Sequence, residues 1–128
     1  MNSREKDCTF CHTDENRVVL ENRLALAIRD AFPVTPLHVL VIPRRHTPDY
    51  FSLTKDEVLA CDALLREARE RIEDQDPSVE GFNIGLNVGT AAGQTIFHCH
   101  YHLIPRRVGD VENPRGGIRH MIPGKGDY

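Results

Sequence analysis

The sequence predicts an α+β fold, in which about five short strands form an antiparallel sheet and one long helix packs against it. Two observations support this fold: several short runs alternate apolar and polar residues, and one longer run repeats apolar residues at helical spacing. The strands follow one another closely in the chain, which favours antiparallel pairing. With 128 residues, the chain is expected to form one domain with a modest core.

The first half of the chain is predicted to hold three strands. Residues 17–21 and 23–29 are rich in apolar and β-branched residues, and a turn near Asn22 joins them. Residues 30–36 contain two prolines, which interrupt strand pairing, so a loop is expected there. Residues 38–42 predict a third strand that stops at Pro43, and a loop over residues 44–51 follows.

A long helix is predicted to begin after Thr54. Thr54 and Glu57 have the spacing of a capping box, in which each side chain bonds the other residue's backbone N–H. Beyond it, apolar residues recur at helical spacing, namely Val58, Cys61, Leu65, Ala68 and Ile72. The helix is expected to end near Asp74, because Pro77 follows shortly after. Cys61 is therefore interpreted as a small core residue.

The second half of the chain is predicted to supply the remaining strands. Residues 81–87 alternate as a fourth strand, residues 88–94 form a loop of small residues, and residues 97–104 form a fifth strand that ends before Pro105. We assign residues 1–110 to the domain and residues 111–128 to its irregular C-terminal tail. The pattern also allows a short helix over residues 11–15.

The composition argues against several classes of function. The formal net charge of −3 gives no sign of a basic surface for nucleic acid. No run approaches the ~20 apolar residues that span a membrane, and the first seven residues are polar, unlike a secretory signal. A cytoplasmic protein is therefore expected, whose four cysteines are reduced thiols or metal ligands.

The most informative motif is an alternating run of three histidines, His98, His100 and His102. Residues two apart on a strand share a face, so the three imidazoles are predicted to lie in a row. All three rings cannot easily meet one ion, since the outer Cα atoms would lie roughly 13 Å apart. A central nucleophile with flanking rings that orient, bind or ligate suits this geometry better. The alternatives are a metal site and an ordinary half-buried strand.

A loop of small residues precedes the histidines. Backbone N–H groups between Gly89 and Gly93 could cradle phosphate oxygens, and Asn87, Gln94 and Thr95 add neutral donors. Taken alone, this loop is more typical of an ordinary hairpin connection. Its place directly before the histidines favours a phosphate held within reach of an imidazole.

Cys8 and Cys11 form a C-x-x-C pair, which is a signal for zinc. A structural zinc site needs about four nitrogen or sulfur ligands, so two further ligands would come from distant histidines. The alternative is a pair of free thiols. The spacing alone leaves seven candidate histidines open, which are His12, His38, His46, His98, His100, His102 and His120.

These residues together resemble the histidine triad (HIT) family. Residues 98–104 match the family motif His-φ-His-φ-His-φ-φ, where φ is apolar. Residues 37–43 are similar to the family's third-strand signature, and Asn87 with the following loop through Thr95 is similar to its phosphate loop. The resemblance covers the chain from Cys8 to about Asp110 and implies the HIT-like form of the predicted fold.

The resemblance implies roles for individual residues. The triad would be catalytic, with His100 as the nucleophile on the α-phosphorus and His102 as a hydrogen-bond donor to phosphate. Asp30 would accept from the ribose hydroxyls, Ile28 would line the base pocket, and His38 would support the triad from behind. The phosphates would be bound by Asn87, Gly93, Gln94 and Thr95.

The resemblance also implies a metal and an oligomer. Zinc-binding bacterial-type members carry a structural zinc on C-x-x-C and two histidines, which here would be Cys8, Cys11, His46 and His98. As a ligand, His98 would anchor the segment that carries the nucleophile. Family members commonly form two-fold homodimers, so a homodimer is expected.

The implied activity is hydrolysis or transfer at the α-phosphate of a nucleotide through a covalent nucleotidyl-histidine. The stretch Gly93-Gln94-Thr95, the triad and the motif Pro105-Arg106-x-x-Gly109-Asp110 together resemble the dinucleoside polyphosphate hydrolases of the fragile-histidine-triad type. This resemblance implies substrates such as diadenosine tri- or tetraphosphate. The alternatives are a purine nucleoside phosphoramidase and a nucleotide-binding module without turnover. A metallohydrolase that uses the histidines directly is a further alternative.

Overall fold

A computed structural model describes residues 5–126 of the chain. Five strands form one sheet in the order β1-β2-β3-β5-β4, and every neighbouring pair is antiparallel. This arrangement, with one long helix, confirms the predicted α+β fold. The elements are β1 (Val18–Glu21), β2 (Ala25–Arg29), β3 (Val39–Pro43), α1 (Lys55–Gln75), β4 (Val79–Gly85) and β5 (Tyr101–Arg107).

The helix α1 begins with the predicted capping box. The Thr54 hydroxyl accepts from the Glu57 N–H at 3.1 Å, and the Glu57 carboxylate accepts from the Thr54 N–H at 2.8 Å. Arg45 donates twice to the same carboxylate, at 2.9 Å each, which ties the loop after β3 to the helix start. The Arg45 guanidinium lowers the pKa of the Glu57 carboxyl. None of the helices within residues 5–126 is long and apolar enough to cross a membrane.

The two faces of the sheet are covered differently. On one face, α1 packs its apolar side against the main core, which includes Tyr101 and Leu103. The predicted core residue Cys61 lies there with no exposed surface, and burial raises the pKa of its thiol to about 12. On the other face lies a smaller apolar cluster of Phe10, Ile28, Leu40 and Ile42. The side chains of His100 and His102 belong to this second face, as the alternation predicts.

The histidine segment differs from its predicted strand. The strand β5 begins at Tyr101, and the preceding residues 97–100 are not part of the sheet. The pairing of β3 with β5 stops at Val41 and Tyr101, and that of β4 with β5 stops at Gly85 and His102, so His98 and His100 have no strand partner although β3 itself runs on to Pro43. The Cys99 N–H instead donates to the Thr47 carbonyl at 2.7 Å.

Pro43 ends β3 as predicted, whereas Pro105 does not end β5. Pro43 is the last residue of β3, and Pro105 lies inside β5. The Pro105 carbonyl accepts from the Thr35 hydroxyl at 2.7 Å, so that edge of the residue faces a loop and not a strand. In an antiparallel sheet, the N–H and the C=O of one residue point to the same side. The nitrogen of Pro105, which carries no hydrogen, therefore also faces away from β4, and no hydrogen bond between the strands is lost. The Pro43 carbonyl likewise faces a side chain and not a strand, since it accepts from Nε2 of His98.

Three further boundaries differ from prediction. The strand β4 lies two residues earlier than expected, because Gly85 already pairs with His102 at the start of β5. The short helix over residues 11–15 is replaced by a 3-10 turn at Glu15–Arg17. The C-terminal tail contains a 3-10 helix at Gly117–Met121, while the rest of its described part is irregular.

Candidate active site and metal centre

The backbone fixes the proton position on His100. Its Nδ1 lies 2.8 Å from the carbonyl oxygen of His98. A carbonyl oxygen only accepts, so Nδ1 carries the proton and donates it to this bond. The remaining nitrogen, Nε2, therefore has a free lone pair. His100 thus has the tautomer that a nucleophile requires.

His102 is held by a relay of hydrogen bonds that runs through His38. The Val34 N–H donates to His38 Nδ1 at 3.2 Å, so the proton of neutral His38 lies on Nε2. That nitrogen lies 3.0 Å from His102 Nδ1 and donates to it, with a carboxylate oxygen of Asp30 at 3.4 Å. His102 consequently carries its own proton on Nε2. His38 therefore holds the His102 ring from behind, and its implied role in the triad stays a prediction.

Burial keeps the two relay histidines neutral. Desolvation lowers the pKa of His38, and the Asp30 carboxylate only partly opposes this change. Desolvation, with His100 and His38 nearby, lowers the pKa of His102 to about 4. At neutral pH both rings are therefore uncharged hydrogen-bonding groups. The two neutral rings can therefore lie side by side next to Asp30 without repulsion between charges, with the ligand atoms of the three residues within 4.8 Å of one another.

A cavity of about 310 Å³ opens in front of His100 and His102. Its apolar wall is formed by Phe10 and Leu40, and Asp30 provides a carboxylate at the edge. The structure thus brings four predicted binding residues to the two histidines. The cavity is lined by Thr9, Phe10, Arg17, Asp30, Ala31, Phe32, Leu40, Asn87, Gly93, Thr95, Ile96, His100 and His102.

The loop before the histidines takes a shape that requires glycine. A short 3-10 turn at Thr90–Ala92 lies between Gly89, with φ of 87°, and Gly93, with φ of 92°. Side chains rarely adopt such positive angles, so these two positions favour glycine. The turn brings Gly93 and Thr95 to the cavity. The backbone there can approach a ligand closely, which suits an anion.

Gln94 does not reach the cavity, in contrast to its predicted role. Its side chain is only 3% exposed, and its amide nitrogen donates to the carbonyls of Pro48 and Ile96 at 2.6 and 3.1 Å. Its amide oxygen accepts from the Gly89 N–H at 2.9 Å. All three bonds join parts of the protein to one another. Gln94 therefore supports the loop and leaves ligand contact to its neighbours.

Two apolar positions also differ from expectation. Ile28 is fully buried in the second cluster and does not line the cavity; Leu40 and Phe10 take that place. Sequence reasoning missed Phe10, whose ring centroid lies 5.0 Å from that of His100. It also missed Phe32, which is 86% exposed at the cavity edge. The position of Phe10 between the two paired cysteines could have indicated its role.

The second cluster of chemical groups is a candidate metal centre. The ligand atoms of Cys8, Cys11, His46 and His98 all lie within 4.8 Å of one another. The Nδ1 atom of His98 is 3.4 and 3.5 Å from the two sulfurs, and that of His46 is 3.3 Å from Cys11 Sγ. Tetrahedral zinc, with sulfur at about 2.3 Å and nitrogen at about 2.0 Å, separates such ligands by about 3.5 Å. The donor set and its spacing fit zinc.

The orientation of His98 also fits a metal ligand. Its Nε2 donates to the Pro43 carbonyl at 2.7 Å, which leaves the lone pair of Nδ1 facing the cysteines. Metal-bound histidines are commonly oriented by such a bond from the second nitrogen. Burial lowers the pKa of His98, and neutral imidazole is the form that binds metals. The ring does not line the cavity, while the carbonyl of His98 holds the His100 ring.

The fold and these two centres define a class of small α+β proteins that combine alternating histidines with a glycine-containing anion loop. The family model of the HIT domain matches residues 12–109. The chain belongs to that family.

Individual relatives agree with this assignment. An uncharacterised HIT-like protein of Saccharolobus solfataricus is 32% identical over 102 residues, covering 77% of this chain and 73% of that protein. The asymmetrical bis(5'-nucleosyl)-tetraphosphatase of Schizosaccharomyces pombe is 37% identical over 95 residues, which cover 74% of this chain but 52% of that enzyme. The crystal structure of a zinc-bound histidine triad family protein of Mycobacterium smegmatis has a TM-score of 0.74 at 34% identity, with 84% and 80% of the two chains covered.

Proposed function

We propose that this protein hydrolyses nucleotide derivatives at the α-phosphorus through a covalent intermediate on His100. The observation that carries the proposal is the tautomer of His100, whose Nδ1–H donates to the His98 carbonyl and leaves Nε2 free beside the cavity. Histidine is a competent covalent nucleophile when its lone pair is available.

The reaction proceeds in two displacements. In the first, His100 Nε2 forms a bond to the α-phosphorus while the bond from phosphorus to the leaving group breaks. In the second, a water oxygen attacks the same phosphorus, and the phosphorus–nitrogen bond breaks to restore the imidazole. His102 donates its Nε2–H to an oxygen on or next to the phosphorus, because His38 occupies the opposite nitrogen. Phosphoryl transfer depends mainly on such positioning and charge stabilisation.

The remaining cavity residues bind the nucleotide. Asp30 accepts from the ribose hydroxyls, and the base packs against Phe10 and Leu40. Thr95 and the backbone N–H groups near Gly93 hold the phosphate oxygens.

Zinc is the cofactor that suits the second centre, where Cys8, Cys11, His46 and His98 would hold it. When bound by four protein ligands, zinc supplies a structural cross-link and no site for an activated water. His98 would then connect the zinc site to the active site, because its ring would bind zinc and its carbonyl orients His100.

Dinucleoside polyphosphates are the first substrates to test, since the relative from Schizosaccharomyces pombe is a bis(5'-nucleosyl)-tetraphosphatase. A nucleoside phosphoramidate is the second candidate, because the same attack by His100 would release an amine. A binding module without turnover is the remaining alternative. It predicts affinity for adenosine monophosphate without a covalent adduct.

The test compares His100→Asn with the parent on diadenosine tetraphosphate and an adenosine phosphoramidate. We expect at least a 1,000-fold loss of kcat, on the order of what loss of a nucleophile costs. Mass spectrometry of quenched reactions should find one added nucleotide mass on the parent only. The matched control is His12→Asn, an exposed histidine outside the cavity, which should retain activity. Full activity of His100→Asn would refute the proposal.

The two-fold homodimer stays a prediction, for which the edge position of β4 offers a place where a second copy could pair. Sedimentation equilibrium tests it directly. A solution mass equal to the chain mass of 14.5 kDa would contradict it.

A further inference from the structure

A separate cavity of about 340 Å³ lies on the face of the sheet that α1 covers. Its floor includes Leu20, Val39 and Ile72, which belong to the main core. Neither His100 nor the anion loop contributes to its lining. Among residues 5–126, Asp30 alone lines both this cavity and the one in front of His100, so the two spaces are distinct.

One face of α1 forms a wall of this cavity. The residues that line it recur at spacings of three and four, which share one face of a helix, and they are Ala68, Arg71, Ile72 and Gln75. Ala68 and Ile72 are buried, whereas Arg71 and Gln75 are exposed. The helix therefore places a guanidinium and an amide at the mouth of the cavity, next to an apolar floor.

Three charged side chains line the cavity, and they are Arg29, Arg71 and Asp30. Within residues 5–126 the Arg71 side chain has no hydrogen-bond or ion-pair partner. Arg29 donates from Nη1 to the Asn16 carbonyl at 2.9 Å. Since burial keeps His38 neutral, two cations and one anion give the lining a formal charge of +1. This charge favours a ligand with a single negative charge.

A strained turn forms another wall of the cavity. The His38 N–H donates to the Thr35 carbonyl at 3.2 Å, which closes a turn with Pro36 and Leu37 at its centre. Leu37 has a φ of 72°, an angle that only glycines share within residues 5–126. Glycine would adopt this angle without strain but would leave the wall open. The Leu37 side chain lines the cavity and packs against the main core, so the strain is tied to a side chain that shapes the cavity.

We propose that this cavity is a second binding site, which takes a small monocarboxylate with an apolar body. The carboxylate accepts hydrogen bonds from the Arg71 guanidinium, whose paired N–H donors match its two oxygens. The apolar body packs against the floor and against Leu37, and it gains from leaving water. A phosphate monoester carries more than one negative charge at neutral pH and suits a lining of +1 less well.

The size of the cavity limits the ligand. A volume of about 340 Å³ lies at the small end of the range for ligand cavities, which is roughly 300–1,000 Å³. An alkyl chain of moderate length or a single aryl ring therefore suits it. The site is separate from the chemistry proposed for His100, so its test requires no turnover.

The experiment compares octanoate with octanamide, its neutral analogue, by calorimetric titration of the zinc-loaded full chain. We expect saturable binding of octanoate, about tenfold tighter than octanamide, because a charged acceptor strengthens the bond to a guanidinium. The titration is then repeated in excess adenosine monophosphate. Octanoate should bind with the same stoichiometry, since Asp30 is the one described residue that the two cavities share.

Variants in the cavity walls make the test specific. Arg71→Gln should weaken octanoate binding about tenfold, to the affinity of octanamide, and leave octanamide within about twofold. The matched control is Arg69→Gln, a cation on the same helix that does not line the cavity and should leave both affinities unchanged. Leu37→Gly keeps the turn but removes the wall, so it should weaken both ligands about tenfold. Urea unfolding midpoints near that of the parent establish that each variant is folded.

Four results overturn the inference, and none of them bears on the proposed function. The first is octanoate binding that is absent or no tighter than that of octanamide. The second is displacement of octanoate by adenosine monophosphate, which would place octanoate in front of His100. The third is an equal effect of Arg71→Gln and Arg69→Gln on octanoate. The fourth is a lower solution mass of Arg71→Gln in sedimentation equilibrium, which would show that a second copy of the chain covers this cavity.

Discussion

Gln94 provides a sharp test of how the anion loop is built, because sequence and structure assign its side chain different tasks. The sequence predicts contact with phosphate, whereas the structure directs the amide to Gly89, Pro48 and Ile96. We choose Gln94→Met, which keeps the shape of the side chain and removes all three hydrogen bonds.

The expected loss of stability follows from those three bonds. Each buried hydrogen bond contributes about 1 kcal/mol net, so the free energy of unfolding should fall by about 3 kcal/mol. For a chain of 128 residues this corresponds to a decrease in Tm of about 10 °C. The assay is urea unfolding of the zinc-loaded protein, followed by circular dichroism, together with calorimetric binding of adenosine monophosphate.

Thr95→Ala is the matched comparison. The Thr95 side chain is exposed and lines the cavity, so its removal should change the free energy of unfolding by less than about 0.5 kcal/mol. It should nevertheless weaken nucleotide binding. The reasoning is refuted if Gln94→Met unfolds at the same urea concentration as the parent and still loses nucleotide affinity tenfold. That result would mean that the Gln94 amide acts on the ligand.

Two further predictions concern the metal centre and pH. Native mass spectrometry should find one zinc per chain in the parent and none in the double variant Cys8→Ala, Cys11→Ala. The control is Cys61→Ala, which removes a buried thiol outside the cluster and should keep the zinc. Zinc in the double variant would contradict the site. His102 has a pKa of about 4 when folded, below the ordinary value of 6.5, so the unfolded chain binds more protons between these values. The free energy of unfolding should therefore fall as the pH decreases from 6.5 towards 4. Acid also releases zinc, so the slope of the free energy of unfolding against pH is measured for both the parent and His102→Gln, and the two slopes are compared. Equal slopes would contradict a buried, neutral His102 ring.

The sequence predicted those features that depend on neighbours in the chain. The capping box of Thr54 and Glu57 and the turn at Asn22 are local, and the structure confirms both. Alternation correctly separated the core side of β5, with Tyr101 and Leu103, from its histidine side.

The features that the sequence did not predict depend on partners far away in the chain. The start of β5 follows from where its pairing with β3 and β4 stops, and Pro105 is tolerated because a loop residue, Thr35, lies on its open side. Whether Gln94 or Thr95 faces the cavity depends on the backbone at Gly93, whose left-handed conformation redirects the chain. The spacing of the cysteines left seven histidines open, and only the fold brings His46 and His98 to them.

The hydrogen-bond partner that orients the His100 ring belongs to the main chain. The carbonyl of His98 holds the proton of His100, while the ring of the same residue faces the cysteines. An amino-acid substitution replaces the ring but always retains a carbonyl at position 98. A complete scan of side chains would therefore leave the hydrogen bond between this carbonyl and His100 unseen. Replacing the amide at position 98–99 by an ester would keep the carbonyl but make it a weaker acceptor, and would also remove the Cys99 N–H that donates to the Thr47 carbonyl. Such a change in the backbone alters the bond to His100, which side-chain substitution does not.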